Sequence, residues 1–487
     1  MPQVISPARP RRTTELLLLI LALGIGLGAH LLSAVGMDQE ITSEYWVQTG
    51  VMTIMALVFH LVLRLKARYA DPYILPIVVT LNGLGIAMIH RLDLESGDSA
   101  ATRQLMWTVV AMGSAIVLLW FLRDHRLLRR RTYLFLAAAG LLLLLPLIPG
   151  LGMEINGARI WINVGVGSFQ PGEVAKIMLA IFFAGYLSAN RDLILLAGKK
   201  VGPVTFPRSR DMAPLVIAWI ISMGVLVFQR DLGSAILFFG LFMAMIYLAT
   251  SRVSWIILGL LLVGIGGLIA VNTISHVGLR VSAWLNAFDP EVYNRQGGSF
   301  QIVQGLFGLA SGGLLGTGLG EGRPDIVAYA NSDMIVASFG EELGMIGLAA
   351  IIMLYVLLVT RMMRAALGTR DTFGKLLAAG LAFTMALQCF VVIGGVTMVI
   401  PLTGLTTPFM AAGGSSLLAN WIVVALVLLV SQAARRPVVV GPMVNASGAG
   451  SGHQDRTDPD APASASASAP SPTQTSMPAP GAPGGER

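Results

Sequence analysis

Apolar residues recur along this chain in long runs, separated by short segments that hold most of the charged residues. A run of about 20 apolar residues lets one α-helix cross the hydrocarbon core of a bilayer. The pattern therefore predicts an all-α, polytopic membrane protein with about 12 transmembrane helices. The predicted spans are 15–35, 47–63, 73–90, 104–122, 132–150, 172–190, 212–229, 231–250, 254–274, 333–360, 376–398 and 414–432.

Lysine and arginine are unevenly distributed between the two sides that these spans define. If the N-terminus is cytoplasmic, 23 of the 33 basic residues lie on the inner side, 8 on the outer side and 2 in the far tail. Basic residues concentrate in cytoplasmic loops. We therefore expect a multi-pass protein of the cytoplasmic membrane with both termini in the cytoplasm. The first apolar run is predicted to be a retained helix, because no small-residue cleavage site stands out after it.

Three regions of the chain differ in composition. Residues 1–14 are predicted to be a basic cytoplasmic N-terminus. Residues 15–436 are predicted to form the membrane domain, in which 275–332 is a long extracytoplasmic loop. Residues 437–487 are rich in Ala, Pro and Ser and bury too little apolar surface to offset their ordering entropy. We expect them to form a disordered cytoplasmic tail.

Composition narrows the function classes. Hydrophobic residues make up 55% of the chain and charged residues only 12%, which excludes a water-soluble enzyme. The net charge of +7 is scattered in short clusters between apolar runs, so no nucleic-acid partner is predicted. The single cysteine permits no intramolecular disulfide, and the six histidines show no metal-ligand spacing. The absence of a Walker A loop disfavours a nucleotide-driven pump.

Polar residues concentrate in three segments that this topology places on the outer face, at about 156–176, 275–332 and 401–416. Ionisable residues at membrane depth are costly and are treated as functional hypotheses by default. Two roles are equally open for Glu341, Glu342 and the pair at 173 and 176: membership of an internal salt-bridge network, or direct participation in chemistry. The predicted network comprises Glu173, Lys176, Asp231, Glu341 and Glu342.

Six segments together resemble one protein family. They are NGARIWINVGVGSFQPGEVAK, FQRDLGSA, RVSAWLNAFDP, GGLLGTGLGEGRPD, NSDMIVASFGEELGMIG and IPLTGLTTPFMAAGGSSLL. The chain resembles the SEDS family (shape, elongation, division and sporulation), which includes RodA, FtsW and SpoVE, from about residue 71 to 436. The two extra N-terminal spans resemble RodA-type members from actinobacteria. The resemblance implies a core of ten helices plus these two.

The resemblance also implies an activity and partners. Members polymerise lipid II, as donor and acceptor, into peptidoglycan glycan strands on the outer face of the membrane. They work beside a class B penicillin-binding protein and other elongation or division complex proteins. The essential aspartate of the family lies in a Thr-Asp-Phe motif, which here is Ser332-Asp333-Met334. Asp325 resembles a second acidic position, and the usual Tyr-Gln pair is Phe300-Gln301.

This reaction requires a base for the acceptor hydroxyl more than it requires an acid for the leaving group. A lipid diphosphate is a good leaving group, so one base should suffice, together with positive charge for the diphosphate. We expect Asp333 to take the proton from the 4-hydroxyl of the acceptor, although capping of the following helix is the plainer role for an aspartate there. The predicted substrate-binding residues are Arg159, Arg280, Arg323, Asp325 and Gln301. A Mg²⁺ or Mn²⁺ ion held by Asp333 and Asp325 could share the role of the cations.

Two other functions fit the sequence. A flippase for a lipid-linked precursor would have the same multi-span architecture, but its critical charges should lie near the bilayer midplane. Here they concentrate at the outer boundary. A non-catalytic scaffold for a class B penicillin-binding protein is the second alternative, since Met334 and the pair Ala411-Ala412 depart from the family motifs.

Overall fold

The computed structural model describes residues 10–155, 157–165, 167–196, 199–201, 204–206 and 209–437. The predicted disordered tail therefore lies outside the described residues, apart from Pro437, as do the first nine residues of the predicted N-terminal segment.

Helices dominate the described part of the chain. They are α1 (Arg12–Gly36), α2 (Ser43–Lys66), α3 (Ile74–Ser96), α4 (Ala100–Phe121), α5 (Thr132–Leu144), α6 (Pro171–Leu196), α7 (Ser209–Phe228), α8 (Leu232–Thr250), α9 (Ser254–Thr273), α10 (Ser275–Leu285), α11 (Pro290–Tyr293), α12 (Phe300–Gly312), α13 (Ile335–Gly368), α14 (Thr372–Val396) and α15 (Gly414–Arg435). Short 3₁₀ turns cover His125–Arg131, Leu145–Leu147 and Pro324–Ile326.

The predicted spans correspond to helices. Within the described residues, 11 helical segments are long and apolar enough to cross a membrane, and a shorter apolar helix, Ala213–Phe228, lies at the remaining predicted span. The prediction of a polytopic all-α membrane protein is confirmed. The fifth span is longer than α5, because the flanking 3₁₀ turns extend it to His125–Leu147.

The predicted loop at 275–332 is partly helical, because α10, α11 and α12 lie within it. The side chains of Ile302 and Val303 in α12 are buried. Helix α12 packs closely on the start of α13, since a Cβ at Gly305 would lie 2.2 Å from the Met334 side chain. The loop is thus a folded part of the membrane domain.

Some spans are interior helices and others face outward. In α3, 89% of the residues across the span are buried, whereas in α9 only 6% are. Trp421 of α15 marks the centre of the core: it is fully buried, its ring lies 5.4 Å from that of Phe59, and its indole N–H donates to Asn82 Oδ1 at 3.3 Å. An outward helix of such high hydropathy is suited to a lipid environment.

The N-terminal helices pack on this core through glycine. A Cβ at Gly26 of α1 would lie 3.3 Å from Gly83 Cα of α3. At the end of α1, a Cβ at Gly36 would lie only 2.1 Å from the carbonyl oxygen of Leu319, so the helix end and the glycine-rich loop meet backbone to backbone. The N-terminal hairpin therefore contacts the loop that leads to Asp333.

Two small sheets lie outside the spans. The first has three antiparallel strands in the order β1 (Gly152–Ile155), β2 (Ala158–Asn163) and β3 (Ser168–Phe169), with Met153 paired to Trp161 and Ile162 to Phe169. The second is the hairpin of β4 (Lys199–Val201) and β5 (Val204–Phe206). The first sheet positions Arg159 on β2.

Candidate functional site

Asp333 lies in a turn immediately before α13 and is half-buried. The side-chain amide of Gln301, in the first turn of α12, donates to both carboxylate oxygens at 3.2 Å. Met334, not Asp333, is the N-cap residue of α13, and it forms no side-chain cap hydrogen bond. The geometry therefore gives Asp333 no capping role for this helix and leaves its carboxylate directed towards α12.

Arg280 of α10 shares this site. Its Nη1 donates to the carbonyl oxygens of Thr403 at 2.7 Å and Leu402 at 3.3 Å. A Cβ at Gly404 would lie 4.0 Å from both Arg280 Nη2 and Asp333 Oδ2. With a φ of +76°, position 404 favours glycine, and a side chain there would approach both charged groups. The segment around 402–404 thus closes over the carboxylate and the guanidinium.

The surroundings of Asp333 bring the pKa of its carboxyl group close to neutral pH. Burial raises its pKa to about 6, against the opposing effects of the hydrogen bond from Gln301 and the charge of Arg280. Burial also lowers the pKa of Arg280, while Asp231 and Asp333 act to raise it. Both carboxylates therefore favour the charged form of Arg280, and neither forms a direct ion pair with it among the described contacts.

Asp231 is both a helix cap and a member of this site. Its Oδ1 accepts from the backbone N–H of Ser234 at 2.9 Å, which caps α8, and its Oδ2 accepts from the Gln170 side chain at 3.2 Å. Burial raises its pKa, and the Ser234 hydrogen bonds oppose that effect. The backbone N–H of Gln170 in turn donates to Ser415 Oγ at 3.1 Å. The contact of Gln170 with Asp231 was missed in the sequence, where only the position of Gln170 next to Pro171 marks it.

Glu173 and Lys176 form the ion pair that their spacing suggested, at 2.9 Å, and both are almost fully buried. Lys176 Nζ also donates to Gln388 Oε1 at 3.0 Å, and Gln388 Nε2 donates to the carbonyl oxygen of Thr406 at 2.9 Å. The ion pair is thus connected to the 401–409 segment through Gln388. It does not contact Asp333. The part of Gln388 was not predicted, because it depends on a contact 212 residues away.

Arg159 lies at the rim of the site. Its side chain is exposed on β2, and its backbone N–H donates to the carbonyl oxygen of Gln229 at 3.3 Å, two residues before Asp231. Arg230 is a further cation here that the sequence reasoning did not select. The pKa of His276 on α10 is lowered first by burial and then by Arg230 and Arg280. Positive charge therefore accumulates beside α10.

Arg323 and Asp325 form a cluster of their own, and none of the described contacts joins either residue to Asp333. Arg323 Nε lies 3.1 Å from Asp325 Oδ1, and the Arg323 backbone N–H donates to Glu341 Oε1 at 2.8 Å. The physical reason is the fully buried Arg91 of α3. Arg91 forms an ion pair with Glu342 at 2.5 Å and donates to the carbonyl oxygen of Gly322 at 2.7 Å, which fixes this loop against α3.

The predicted cation site of Asp333 and Asp325 is not assembled in this arrangement. Asp333 accepts from the amide of Gln301, whereas Asp325 binds Arg323. Both oxygens of Asp333 face the one side-chain amide of Gln301, at 3.2 Å. Within the described ranges there is no group of three or more His, Cys, Asp or Glu side chains that could hold a metal ion.

Comparison with known proteins agrees with this architecture. The family model described as "Cell cycle protein" (FtsW, RodA, SpoVE) matches residues 72–436. Peptidoglycan glycosyltransferase RodA of Mycobacterium tuberculosis is 48% identical over 448 residues, covering 90% of this chain and 94% of that protein. Stage V sporulation protein E of Bacillus subtilis is 32% identical over 386 residues, covering 76% of this chain and 100% of that protein.

Two solved structures share the fold. A chain from a peptidoglycan synthase complex, described as coordinating polymerization and crosslinking, superimposes with a TM-score of 0.60 at 26% identity, covering 75% of this chain and 98% of that chain. Rod shape determining protein RodA of Thermus thermophilus gives a TM-score of 0.51 at 26% identity, covering 74% and 96%. This multi-pass membrane protein belongs to the FtsW, RodA and SpoVE family of cell cycle proteins.

Proposed function

We propose that this chain is a peptidoglycan glycosyltransferase that polymerises lipid II into glycan strands, with Asp333 as the general base. The observation that carries the proposal is the environment of Asp333: a half-buried carboxylate beside Arg280, with its pKa raised to about 6. A base is most effective when its pKa lies near the working pH. The names of the mycobacterial relatives, peptidoglycan glycosyltransferase RodA, support the assignment.

The residues of the site suit one displacement step. Asp333 accepts the proton of the 4-hydroxyl of the acceptor sugar as that oxygen forms a bond to the anomeric carbon of the donor. The bond from this carbon to the lipid diphosphate breaks, and the diphosphate leaves with the electron pair. Because the leaving group is already a stable anion, no second carboxylic acid is required, unlike in glycosidases.

Arg280 is the cation best placed for the developing charge, because Nη1 is anchored on two backbone carbonyls and Nη2 lies beside Gly404. Fixed cations in a partly buried site stabilise a developing anion without reorganisation. Arg159 and Arg230 lie at the rim near α10 and are suited to attracting the diphosphate as the substrate enters. Gln301 holds the carboxylate of Asp333 in its orientation.

For this reaction, the end of the bundle that carries Asp333 must face the side where lipid II is displayed. The excess of basic residues at the opposite end supports an outward-facing site and cytoplasmic termini. The related chain from a synthase complex supports a class B penicillin-binding protein as partner. A Mg²⁺ or Mn²⁺ requirement stays a prediction, which the loss of activity on adding a chelator would test.

The decisive experiment uses the purified full chain with fluorescent lipid II, with and without its partner. We expect glycan ladders from the wild type and a loss of about 10²–10⁴-fold in Asp333→Asn, the range typical of a general base. Asp325→Asn is the matched control. Because Asp325 lies in the other cluster, this variant should still produce glycan ladders. Undiminished polymerisation by Asp333→Asn would overturn the base role.

The same assay separates the alternatives. Translocation of lipid II in vesicles without polymer would make the chain a flippase. Neither polymer nor translocation, with partner binding intact, would make it a scaffold.

A further inference from the structure

A cavity of about 380 Å³ lies at the end of the bundle opposite Asp333. Its lining includes the guanidinium-bearing residues Arg129, Arg130 and Arg131, together with Tyr133 at the start of α5 and Asn190 near the end of α6. The connectivity gives its location, because the part of α13 that follows the break at Gly344 crosses the bundle to the opposite end. There the 3₁₀ turn that carries the arginines is tied to the α13–α14 connection by His125 Nε2 and Asp371 Oδ2 at 2.9 Å.

Among the described residues, no acidic side chain is paired with the three arginines. In the part of the chain that the structure describes, no ion pair or side-chain hydrogen bond involves Arg129, Arg130 or Arg131. Other arginines at this end do have acidic partners: Arg126 lies 3.6 Å from Asp371. Three consecutive arginines in the lining of one cavity give it a positive potential that favours a bound anion. Guanidinium groups bind phosphate oxygens in a bidentate manner, which fits a phosphate group.

The surface next to the cavity is apolar and outward-facing. Along the fifth span only 17% of the residues are buried inside the protein. Tyr133 is 63% exposed, Leu134 is 58% exposed and Leu141 is 62% exposed. An occupant that fills both regions must therefore be amphiphilic, with an anionic head at the arginines and hydrocarbon chains along α5. A soluble anion would use only the first of these regions.

We propose that this cavity binds the phosphodiester headgroup of an anionic phospholipid, whose acyl chains lie along α5. Basic pockets at the cytoplasmic ends of transmembrane helices are suited to such headgroups, and each arginine near an anionic surface contributes roughly 1 kcal/mol, or about fivefold in affinity. The site is separate from the proposed active site, so it stands whether or not the chain polymerises lipid II.

The test compares two triple variants of the full-length protein, reconstituted in nanodiscs and examined by native mass spectrometry. The first is Arg129→Gln/Arg130→Gln/Arg131→Gln. The second is Arg364→Gln/Arg370→Gln/Lys375→Gln, which removes the same charge at the same end from exposed residues that do not line the cavity. The measurement is the amount of phosphatidylglycerol that the protein retains and, for comparison, the amount of phosphatidylcholine.

We expect the first triple variant to retain at least tenfold less phosphatidylglycerol than wild type, and the control to change less than twofold. Wild type should retain phosphatidylcholine weakly, and inorganic phosphate at millimolar concentration should not displace phosphatidylglycerol. A third variant, Arg129→Lys/Arg130→Lys/Arg131→Lys, keeps the charge and should recover part of the binding, which separates a loss of charge from poor folding of the first variant.

Three results would overturn the proposal. Equal losses in both triple variants would mean general attraction between a basic surface and an anionic bilayer. Equal retention of the two lipids would remove the role of the headgroup charge. Displacement of the lipid by inorganic phosphate would identify a site for a soluble anion instead.

Discussion

Two charged clusters flank the first turns of α13, and they differ in how their charges are neutralised. In one, Asp333 receives hydrogen bonds only from the neutral amide of Gln301 among the described side chains, while Arg280 is anchored on backbone carbonyls. In the other, the fully buried Arg91 lies 2.5 Å from Glu342 and 2.6 Å from Glu95. In the first cluster the carboxylate and the guanidinium form no ion pair with each other. In the second cluster the arginine forms ion pairs with both carboxylates.

The difference shows which charges are free for chemistry. A buried arginine with two carboxylate partners stabilises one arrangement of α3, the glycine-rich loop and α13, and the charge of each carboxylate is balanced by that arginine. A carboxylate held by an amide keeps a raised pKa and can exchange a proton. Glu341 and Glu342 lie only eight and nine residues after Asp333, yet they belong to the structural cluster.

The largest expected effect separates activity from stability at Asp333. Asp333→Asn should reduce polymerisation by about 10²–10⁴-fold, because the amide cannot accept the proton. The thermal unfolding midpoint in detergent should stay within a few degrees of the wild type, since the carboxylate is not a helix cap. A large fall of the midpoint would place Asp333 among the structural charges and erase the contrast between the clusters.

Arg91→Met should lower the stability of the protein, in contrast to Asp333→Asn, which should lower its activity. Removing one partner of a buried ion pair costs about 3–5 kcal/mol of stability, because Glu342 would stay buried without its partner. The thermal midpoint should fall strongly, as measured by the loss of the monodisperse species on heating. Arg323→Met is the control, because that arginine is exposed and its pair with Asp325 should matter little. Equal midpoints for Arg91→Met and Arg323→Met would contradict the structural role of Arg91.

Gly36→Ala tests whether the end of α1 supports the loop between the clusters. The added Cβ would lie 2.1 Å from the Leu319 carbonyl oxygen, so the backbone must shift, and overpacking of this kind costs about 1–3 kcal/mol. Gly28→Ala is the matched control in the same helix, since nothing lies within 4 Å of its Cβ position. A fall of the thermal midpoint in both variants alike would show that helix packing in general, rather than the loop contact, is responsible.

The smallest effect is a shift of pH dependence. The base must be deprotonated, so polymerisation should be high above pH 6 and should decline as the pH falls through about 6. Gln301 stabilises the anionic form, hence Gln301→Leu should raise the pKa of Asp333 and move the decline to higher pH. Gln304→Leu is the control, because Gln304 binds the Tyr293 hydroxyl. An unchanged pH profile in Gln301→Leu would mean that another group titrates.

Much of the fold could be predicted from the sequence, because a span leaves a local signal of about 20 apolar residues. The three helices in the long loop leave a weaker signal. Helix α12 carries apolar residues at 302, 303, 306 and 307, but its length of 13 residues and its several glycines made it resemble a loop.

The candidate site was predicted unevenly. The sequence predicts roles for Asp333, Arg280 and Gln301, and these three residues lie together. Asp325 is predicted to bind substrate because it resembles a second acidic position of the family, and Arg323 because it is a further cation for the diphosphate. Their true surroundings depend on Arg91, which binds the Gly322 carbonyl oxygen across 231 positions. Contacts at such separation leave no periodic pattern, so the sequence alone could not show them.

The deep burial of α3 also bears on how the protein is inserted. Its mean hydropathy of 1.5 is lower than the 2.3 of α1, and it carries Asn82, His90, Arg91 and Asp93 among its buried residues. Such side chains are poorly tolerated against lipid. Since synthesis delivers α1 and α2 first, α3 can leave the translocation channel against helices already in place. Removing α1 and α2 from this chain would expose to lipid the face of α3 that packs on α1 at Gly26 and Gly83, so membrane assembly would be the property to measure in such a variant.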